Sequence, residues 1–186
     1  LTDFILKVDP DILIGYNIEK ESFGILNERA SNLGLKSWYN MISRTKEPII
    51  SFDECKKVSG RILINYWRVV RHKENFRTYD LTNVANEILG APFPNITDES
   101  LTMYANVAPH RFVHFFNSKV LTVVALVNKM TIIEQLSELS LVVGLDFSST
   151  ISRGSQFHIE SLLSRVSWRS GYLLNTPTRR DIASQR

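Results

Sequence analysis

The residues of this chain that could take part in chemistry are few and mostly scattered. Of its four histidines, His72, His110, His114 and His158, only His110 and His114 are spaced to share one face of a helix. Two imidazoles one turn apart can begin a metal site, but no cysteine or carboxylate stands at the spacing that would complete it. We therefore expect ordinary core or surface histidines, and no metal held by this stretch of sequence.

Other catalytic arrangements are missing from the sequence as well. It has no glycine-rich loop that would cradle a phosphate, and no serine, histidine and aspartate grouped in the context of a nucleophile. The aromatic residues fall mainly at core spacing, which argues against a platform for stacking nucleobases. The single cysteine, Cys55, cannot form an internal disulfide and favours a reducing compartment.

Composition and charge limit the class of protein. With 44% hydrophobic residues and a net charge of +3, the composition is not that of a disordered tail. The longest apolar runs are shorter than the roughly 20 residues that a membrane span needs. Residues 151–186 carry +4 and residues 1–150 carry −1. A basic end suits a polyanion, although a solvated basic tail is the more ordinary explanation. Because the sequence starts without methionine and stops without a terminal element, we expect an internal piece of a longer protein.

The periodicity of apolar residues predicts the elements that would position polar side chains. Residues 12–16 are short, β-branched and apolar after a turn at residues 9–11, so they predict a buried strand with Asn17 at the carboxyl edge of its sheet. The remaining predictions are helices over about 20–33, 65–75, 80–88, 98–105 and 110–139, a helix start at 146–149, a turn at 153–156 leading into a further helix, and strands at 49–52, 62–64 and 172–174.

The longest predicted helix, residues 110–139, has a broad apolar face, and Pro109 suits its first turn. A face so rich in apolar side chains predicts burial against a sheet or against other helices. Its members are Phe112, Phe116, Val120, Val123, Val127, Met130 and Ile133.

Three stretches resemble motifs of the family B DNA polymerases. Residues 9–17, DPDILIGYN, resemble the second exonuclease motif, in which an aspartate normally stands five residues after the final asparagine. Residues 60–61 and 78–90 resemble the GR…YxLxxV…LG stretch that follows in the same domain. Residues 144–165, which contain RGSQF and ES, resemble the segment between exonuclease domain and palm in the zeta branch of the family, whereas the delta branch has SRGQQ.

This resemblance implies a fold, a domain division and an activity. The fold is α/β, a ribonuclease-H-like exonuclease fold with a mixed sheet flanked by helices and a C-terminal helical linker toward the palm. An inactivated 3′–5′ exonuclease-like domain is expected at residues 1–143, and the linker with the start of the polymerase region at residues 144–186. The longer protein would be a DNA-directed DNA polymerase of translesion synthesis.

The exonuclease motifs depart from those of a working nuclease. Proofreading exonucleases hold two divalent ions with carboxylates from three motifs. The first motif is expected before Leu1, the second keeps Asn17 but has Ser22 in place of its aspartate, and the third has Phe116 for tyrosine and Val120 for aspartate. A hydroxyl and an aliphatic side chain cannot neutralise two divalent cations, so we expect these positions to be degenerate and hydrolysis to be lost.

Glu21, next to Ser22, is the one carboxylate that could replace the missing aspartate. A shift of one position on a helix turns a side chain by about 100°, so we expect Glu21 to point away from the site. We therefore predict no catalytic residue in this chain.

The basic end supplies the candidate contact residues, which are Arg153, Gln156, Arg165 and Arg169. They would touch DNA or, at least as plausibly, neighbouring domains. For the longer protein the resemblance implies primer-template DNA, Mg²⁺ in the palm, a 4Fe-4S cluster and zinc, accessory subunits including a HORMA-domain subunit, a nuclear location and no membrane. We expect none of these cofactors in this stretch.

Two alternatives remain open. The chain could be an active proofreading exonuclease domain of a delta-like replicative polymerase, or a non-enzymatic interaction module.

Overall fold

The structure is a computed structural model that describes residues 1–45 and 57–174. Compact packing divides the chain into two units, Leu1–Ile133 and Glu134–Arg186. In chain order the described elements are α1 (Thr2–Val8), β1 (Ile12–Gly15), α2 (Ile18–Glu21), α3 (Phe23–Asn32), α4 (Trp38–Met41), β2 (Ile62–Asn65), α5 (Tyr66–Lys73), α6 (Leu81–Leu89), α7 (Asp98–Val107), α8 (Pro109–Lys129), α9 (Ile132–Val143), α10 (Phe147–Ser152) and α11 (Ser155–Arg169).

The sheet of the described residues consists of β1 and β2, which run parallel with Ile12 opposite Ile62 and Gly15 opposite Asn65. Parallel strands need a crossover, and α2, α3 and α4 lie in the connection. The α/β prediction is therefore confirmed in its coarse form. The antiparallel strand that a mixed sheet requires is not among the described residues.

The other two predicted strands have different outcomes. The strand predicted at 49–52 lies outside the described residues. The strand predicted at 172–174 is wrong, because these residues form no ladder and are exposed. An apolar run of three residues has no signal that separates a strand from an irregular segment.

The core of the first unit lies between β2 and the helices of the connection. One cluster of this core consists of Ile5, Ile18, Ala30, Trp38, Tyr39, Ile42, Val58 and Leu63. β1 is only half-buried along its length, so the prediction of a fully buried strand is wrong for β1, whereas Leu63 and Ile64 of β2 are buried.

Several helices begin and end where the sequence predicts. Gly90 ends α6 with φ of 74°, and Asp146 caps α10 by accepting a hydrogen bond from the Ser149 amide. Pro109 occupies the first turn of α8, as predicted. The short helix α4 was missed, because its segment has no apolar periodicity longer than one turn.

Two predicted helices are each broken into two. The helix at 20–33 is interrupted at Ser22, where φ is −142° and ψ is −90°. The helix at 110–139 is interrupted at Thr131, which has a φ of 45°. A β-branched residue in the left-handed region cannot continue a right-handed helix. Thr131 has no glycine or proline beside it, whereas Gly24 follows the first break by two positions and a Cβ there would collide with the Glu19 carbonyl oxygen.

No single helix in the described part of the chain is long and apolar enough to cross a membrane. Only α8 and α9 taken together reach that length and hydropathy, and they are bent at the break between them.

A buried arginine joins the starts of the two strands. The Arg61 side chain is 1% exposed and forms an ion pair of 2.8 Å with the Asp9 carboxylate. Its guanidinium also donates to the Ile42 carbonyl at 2.9 Å and to the Pro10 carbonyl at 2.5 Å. Because a buried guanidinium needs such partners, Arg61 ties the turn before β1 to the segment before β2.

We expect Arg61→Ala to lower the free energy of unfolding by about 2–4 kcal/mol, since it leaves two carbonyl oxygens without their donor. Urea unfolding followed by the fluorescence of the buried Trp38 measures this change. The matched control is Arg29→Ala on the exposed face of α3, which should change stability by less than about 0.5 kcal/mol. Equal effects of the two substitutions would contradict the role of Arg61.

The Asp9 carboxylate predicts a pH dependence. Its hydrogen bond from Arg44, with a further contribution from Arg61, holds the pKa of Asp9 below its ordinary value of 3.8. A lowered folded-state pKa gives stability that is present above pH 3.8 and is lost as the pH falls through the folded-state value. Asp9 has a φ of 51°, which asparagine also tolerates.

We therefore expect Asp9→Asn to be less stable than wild type at pH 7, and the two proteins to become equally stable as the pH falls well below 3.8. Urea midpoints at pH 7, 5, 3 and 2 test this. A difference that persists unchanged at the lowest pH would show that the charge of Asp9 does not stabilise the fold.

Candidate functional site

One cavity of the first unit brings together the four positions predicted to be the degenerate exonuclease site. Asn17, Ser22, Phe116 and Val120 all line it, and its volume is about 360 Å³. Asn17 follows β1 and precedes α2, Ser22 separates α2 from α3, and the other two lie one turn apart on α8. The motif spacing thus identified residues that meet in space although almost 100 residues separate the two groups.

Apolar side chains form most of the cavity wall. The other lining residues are Ile14, Gly15, Tyr16, Glu21, Phe23, Lys119, Val123, Val124, Val127 and Asn128. Phe116 is 41% exposed and Val120 is 60% exposed. The prediction that this face of the long helix is buried is therefore wrong for these two residues, which face an open cavity.

Glu21 also lines the cavity, and the expectation that it points away is wrong. That expectation assumed a continuous helix, whereas α2 ends at Glu21 and the backbone changes direction at Ser22. Both carboxylate oxygens of Glu21 are engaged. Oε2 lies 2.6 Å from the Lys119 ammonium, and Oε1 accepts a hydrogen bond of 3.3 Å from the Asn17 amide.

Lys119 is the site residue that sequence reasoning missed. It stands between Phe116 and Val120 on α8, and its partner Glu21 lies 98 positions away in the chain. No local pattern links two charges so distant in sequence. The sequence shows only that a lysine stands within the third motif, which does not predict its partner.

The side chains in this cavity do not fit a pair of divalent cations. Ser22 offers a hydroxyl that donates to the Ile18 carbonyl at 3.5 Å, and Val120 offers no donor atom. The one carboxylate, Glu21, is paired with an ammonium whose positive charge opposes a nearby metal ion. In residues 1–45 and 57–174, no group of three or more histidine, cysteine, aspartate or glutamate side chains could hold a metal ion.

Tyr16, the first residue after β1, lines the cavity and is held in place by two contacts. Its hydroxyl donates a hydrogen bond of 2.6 Å to the Tyr79 carbonyl, and its ring lies 6.2 Å from that of Tyr66. Burial raises the pKa of the Tyr16 phenol, and the negative charge of Asp80 adds to the shift. The phenol therefore remains a protonated donor rather than a base.

The four predicted contact residues lie in the second unit and do not converge. Arg153 lies 5.3 Å from the Phe157 ring, and Gln156 donates to the Glu160 carboxylate at 3.0 Å. At about 100° per residue, Gln156 and Arg165 stand about 180° apart on α11. Arg169 lies in the last turn of that helix. The structure shows no single surface formed by these side chains.

Arg165 has a local structural contact. Its guanidinium donates to the Leu141 and Val142 carbonyls at 2.9 and 2.7 Å, at the C-terminal end of α9. Gly144, the residue that follows α9, has a φ of 77°. A Cβ added there would lie 2.5 Å from the Arg165 Cδ. Glycine is therefore required at this turn both by its conformation and by the approach of Arg165.

A double-mutant cycle tests the ion pair across the cavity. Glu21→Gln and Lys119→Met should show a coupling of about 0.2–1 kcal/mol in unfolding experiments, since both side chains are partly exposed. The control cycle pairs Glu21→Gln with Lys20→Met, a neighbouring lysine that should couple by close to zero. Equal coupling in the two cycles would show that the 2.6 Å contact contributes nothing specific.

The chain is similar in sequence to parts of several known DNA polymerases. The family model for the exonuclease domain of family B DNA polymerases matches residues 1–84. The chain is 29% identical to the DNA polymerase zeta catalytic subunit of Arabidopsis thaliana, with 97% of the chain and 12% of that protein covered. For the zeta catalytic subunit of Saccharomyces cerevisiae the identity is also 29%, with 100% of the chain and 13% of that protein covered.

A delta-type relative is also found, although the identity is lower. The DNA polymerase delta catalytic subunit of Candida albicans is 25% identical, with 88% of the chain and 17% of that protein covered. The chain thus spans less than one fifth of the length of each of these relatives. Over nearly its whole length the chain is therefore similar to DNA polymerase zeta catalytic subunits, and its first 84 residues match the exonuclease domain of family B DNA polymerases, which confirms the resemblance found in its motifs.

Proposed function

We propose that this chain is an exonuclease-like domain, of ribonuclease-H-like fold, within the catalytic subunit of a zeta-type translesion DNA polymerase, and that it does not proofread. One observation carries the proposal. The cavity that joins the second and third exonuclease motifs contains a serine and a valine in place of metal-binding aspartates, and its one carboxylate is bound to Lys119.

The chemistry of phosphodiester hydrolysis explains why this composition matters. Water must be activated and the charge on the leaving oxygen stabilised, which proofreading enzymes achieve with two divalent ions. Lys119 supplies one positive charge, but an ammonium bound to Glu21 cannot lower the pKa of a water molecule as a coordinated metal does. The apolar wall formed by Phe116 and Val120 offers no general base.

Loss of hydrolysis suits extension from a mismatched or damaged primer end, since such an end would not be removed before extension. On this proposal the longer protein carries out DNA-directed DNA synthesis past lesions, with primer-template DNA as substrate and Mg²⁺ in its palm. Residues 1–143 form the exonuclease-like domain, and residues 144–186 lead toward the palm. The names of the Arabidopsis and yeast relatives support this assignment.

The remaining expectations for the longer protein belong to the same proposal. These are a 4Fe-4S cluster and zinc outside this stretch, accessory subunits including a HORMA-domain subunit, and a nuclear location. Arg153, Gln156 and Arg169 are proposed to contact DNA or neighbouring domains. For Arg165 we favour the structural role, because its guanidinium already binds the carbonyl groups at the end of α9.

A working exonuclease of the delta type is the main alternative, and the similarity to the delta catalytic subunit supports it. The test is digestion of a 5′-labelled single-stranded oligonucleotide with Mg²⁺ or Mn²⁺, by this chain and by the longer protein that includes the sequence upstream of Leu1. We expect no shortening from the 3′ end above the background of a sample without protein, because two of the required carboxylates are absent.

A proofreading family B polymerase serves as the positive control in this digestion. Sustained 3′-end shortening by the longer protein that disappears on Glu21→Gln would overturn the proposal, because it would show that Glu21 acts as a metal ligand despite its pairing with Lys119.

A further inference from the structure

A second cleft of the first unit lies on the other side of α8. Its volume is about 800 Å³, and α8 forms one wall while α7 and residues 89–96 contribute the rest. At about 100° per residue, its α8 residues from His110 to Thr122 fall within an arc of about 140°. Phe116 and Val120 of the degenerate cavity lie outside this arc, although the Phe116 ring contacts that of Phe115 at 5.4 Å. The two clefts therefore use different faces of one helix.

Three basic side chains line this second cleft, namely His110, Arg111 and His114. All three are exposed, and none of them makes an ion pair or hydrogen bond with another residue of the described part of the chain. No aspartate or glutamate lines the cleft. Their spacing of i, i+1 and i+4 places them within about 100° of one another on the helix. An arginine without an acidic partner, beside two imidazoles that can donate hydrogen bonds, creates a site for an anion.

Aromatic rings form the floor of the same cleft. The rings of Phe93 and Phe115 lie 5.2 Å apart, and Tyr104 of α7 adds a third, partly exposed ring. The sequence analysis found no stacking platform, because these rings occur at core spacing. The structure nevertheless places them beside the basic side chains, a combination that suits the phosphates and unstacked bases of a single strand.

We propose that this cleft binds single-stranded DNA, with Arg111, His110 and His114 on backbone phosphates and with Tyr104 and Phe115 against a base. A double helix keeps its bases stacked and paired, so it could offer only phosphates to the basic side chains and nothing to the rings. The proposal does not depend on whether the degenerate cavity hydrolyses DNA, since it concerns the other face of α8.

Fluorescence anisotropy of the intact chain with a labelled thymidine oligonucleotide, in EDTA and over a range of salt concentrations, measures this binding. Arg111→Ala should weaken binding by about tenfold at low salt and reduce the slope of log affinity against log salt by about 1, because one phosphate contact is lost. Tyr104→Ala should weaken binding by about tenfold without changing the slope, because stacking carries no charge.

The charge-matched control is Arg29→Ala on α3, which removes an exposed arginine far from the lining of the cleft and should leave the affinity nearly unchanged. Equal weakening by Arg111→Ala and Arg29→Ala would overturn the proposal, because it would show attraction to a generally basic protein. Wild-type binding too weak to detect, or binding of a duplex as tight as that of the single strand, would also overturn it.

Photo-crosslinking of the unmodified chain to an oligonucleotide that carries 5-iodouracil provides a measurement that needs no variant. We expect crosslinked peptides that contain Tyr104 or Phe115. Crosslinks confined to residues 14–23 would place the strand in the degenerate cavity instead, and crosslinks confined to α10 and α11 would place it on the basic end. Either result would overturn the proposal, and neither would bear on the loss of proofreading, which the digestion experiment decides.

Discussion

The buried guanidinium of Arg61 is the interaction on which the arrangement of the first unit depends. It links the turn that precedes β1, the end of α4 and the start of β2 through three contacts. The ladder between β1 and β2 sets their register, and Arg61 adds a contact between the segments that lead into the two strands. With that register set, Gly15 and Asn65 end their strands side by side, and the residues that follow β1 face α8.

On the proposed function, the site next to this edge is a former metal site whose carboxylates have been replaced by small or apolar side chains. The backbone brings Asn17, Ser22 and Val120 to one cavity. The negative charge that remains, on Glu21, is neutralised within the protein by Lys119. On the proposed function the shape of the cavity is kept while its negative charge is neutralised, so an assignment based on shape alone would overstate the chemistry.

Sequence reasoning succeeded for features that depend on local chemistry. The strand after the turn at residues 9–11, the end of α6 before Gly90 and the meeting of Ser22 with Val120 all follow from short motifs. It failed for features that tertiary contacts decide. The helix break at Thr131 occurs without glycine or proline, and the Glu21 to Lys119 contact joins residues far apart in the chain. The orientation of Glu21 was wrong for the same reason, since it rested on a helix that the folded chain interrupts.

The division of α8 into two faces has a consequence for how this protein can change over evolutionary time. Phe116 and Val120 line one cleft, whereas Arg111 of the other cleft stands about 140° to 180° from them around the same helix. A single rigid helix therefore lets selection relax on one side while it continues to act on the other. A lineage can lose the ligands of a catalytic centre by drift without disturbing the opposite wall, provided that the helix itself keeps its length and its position.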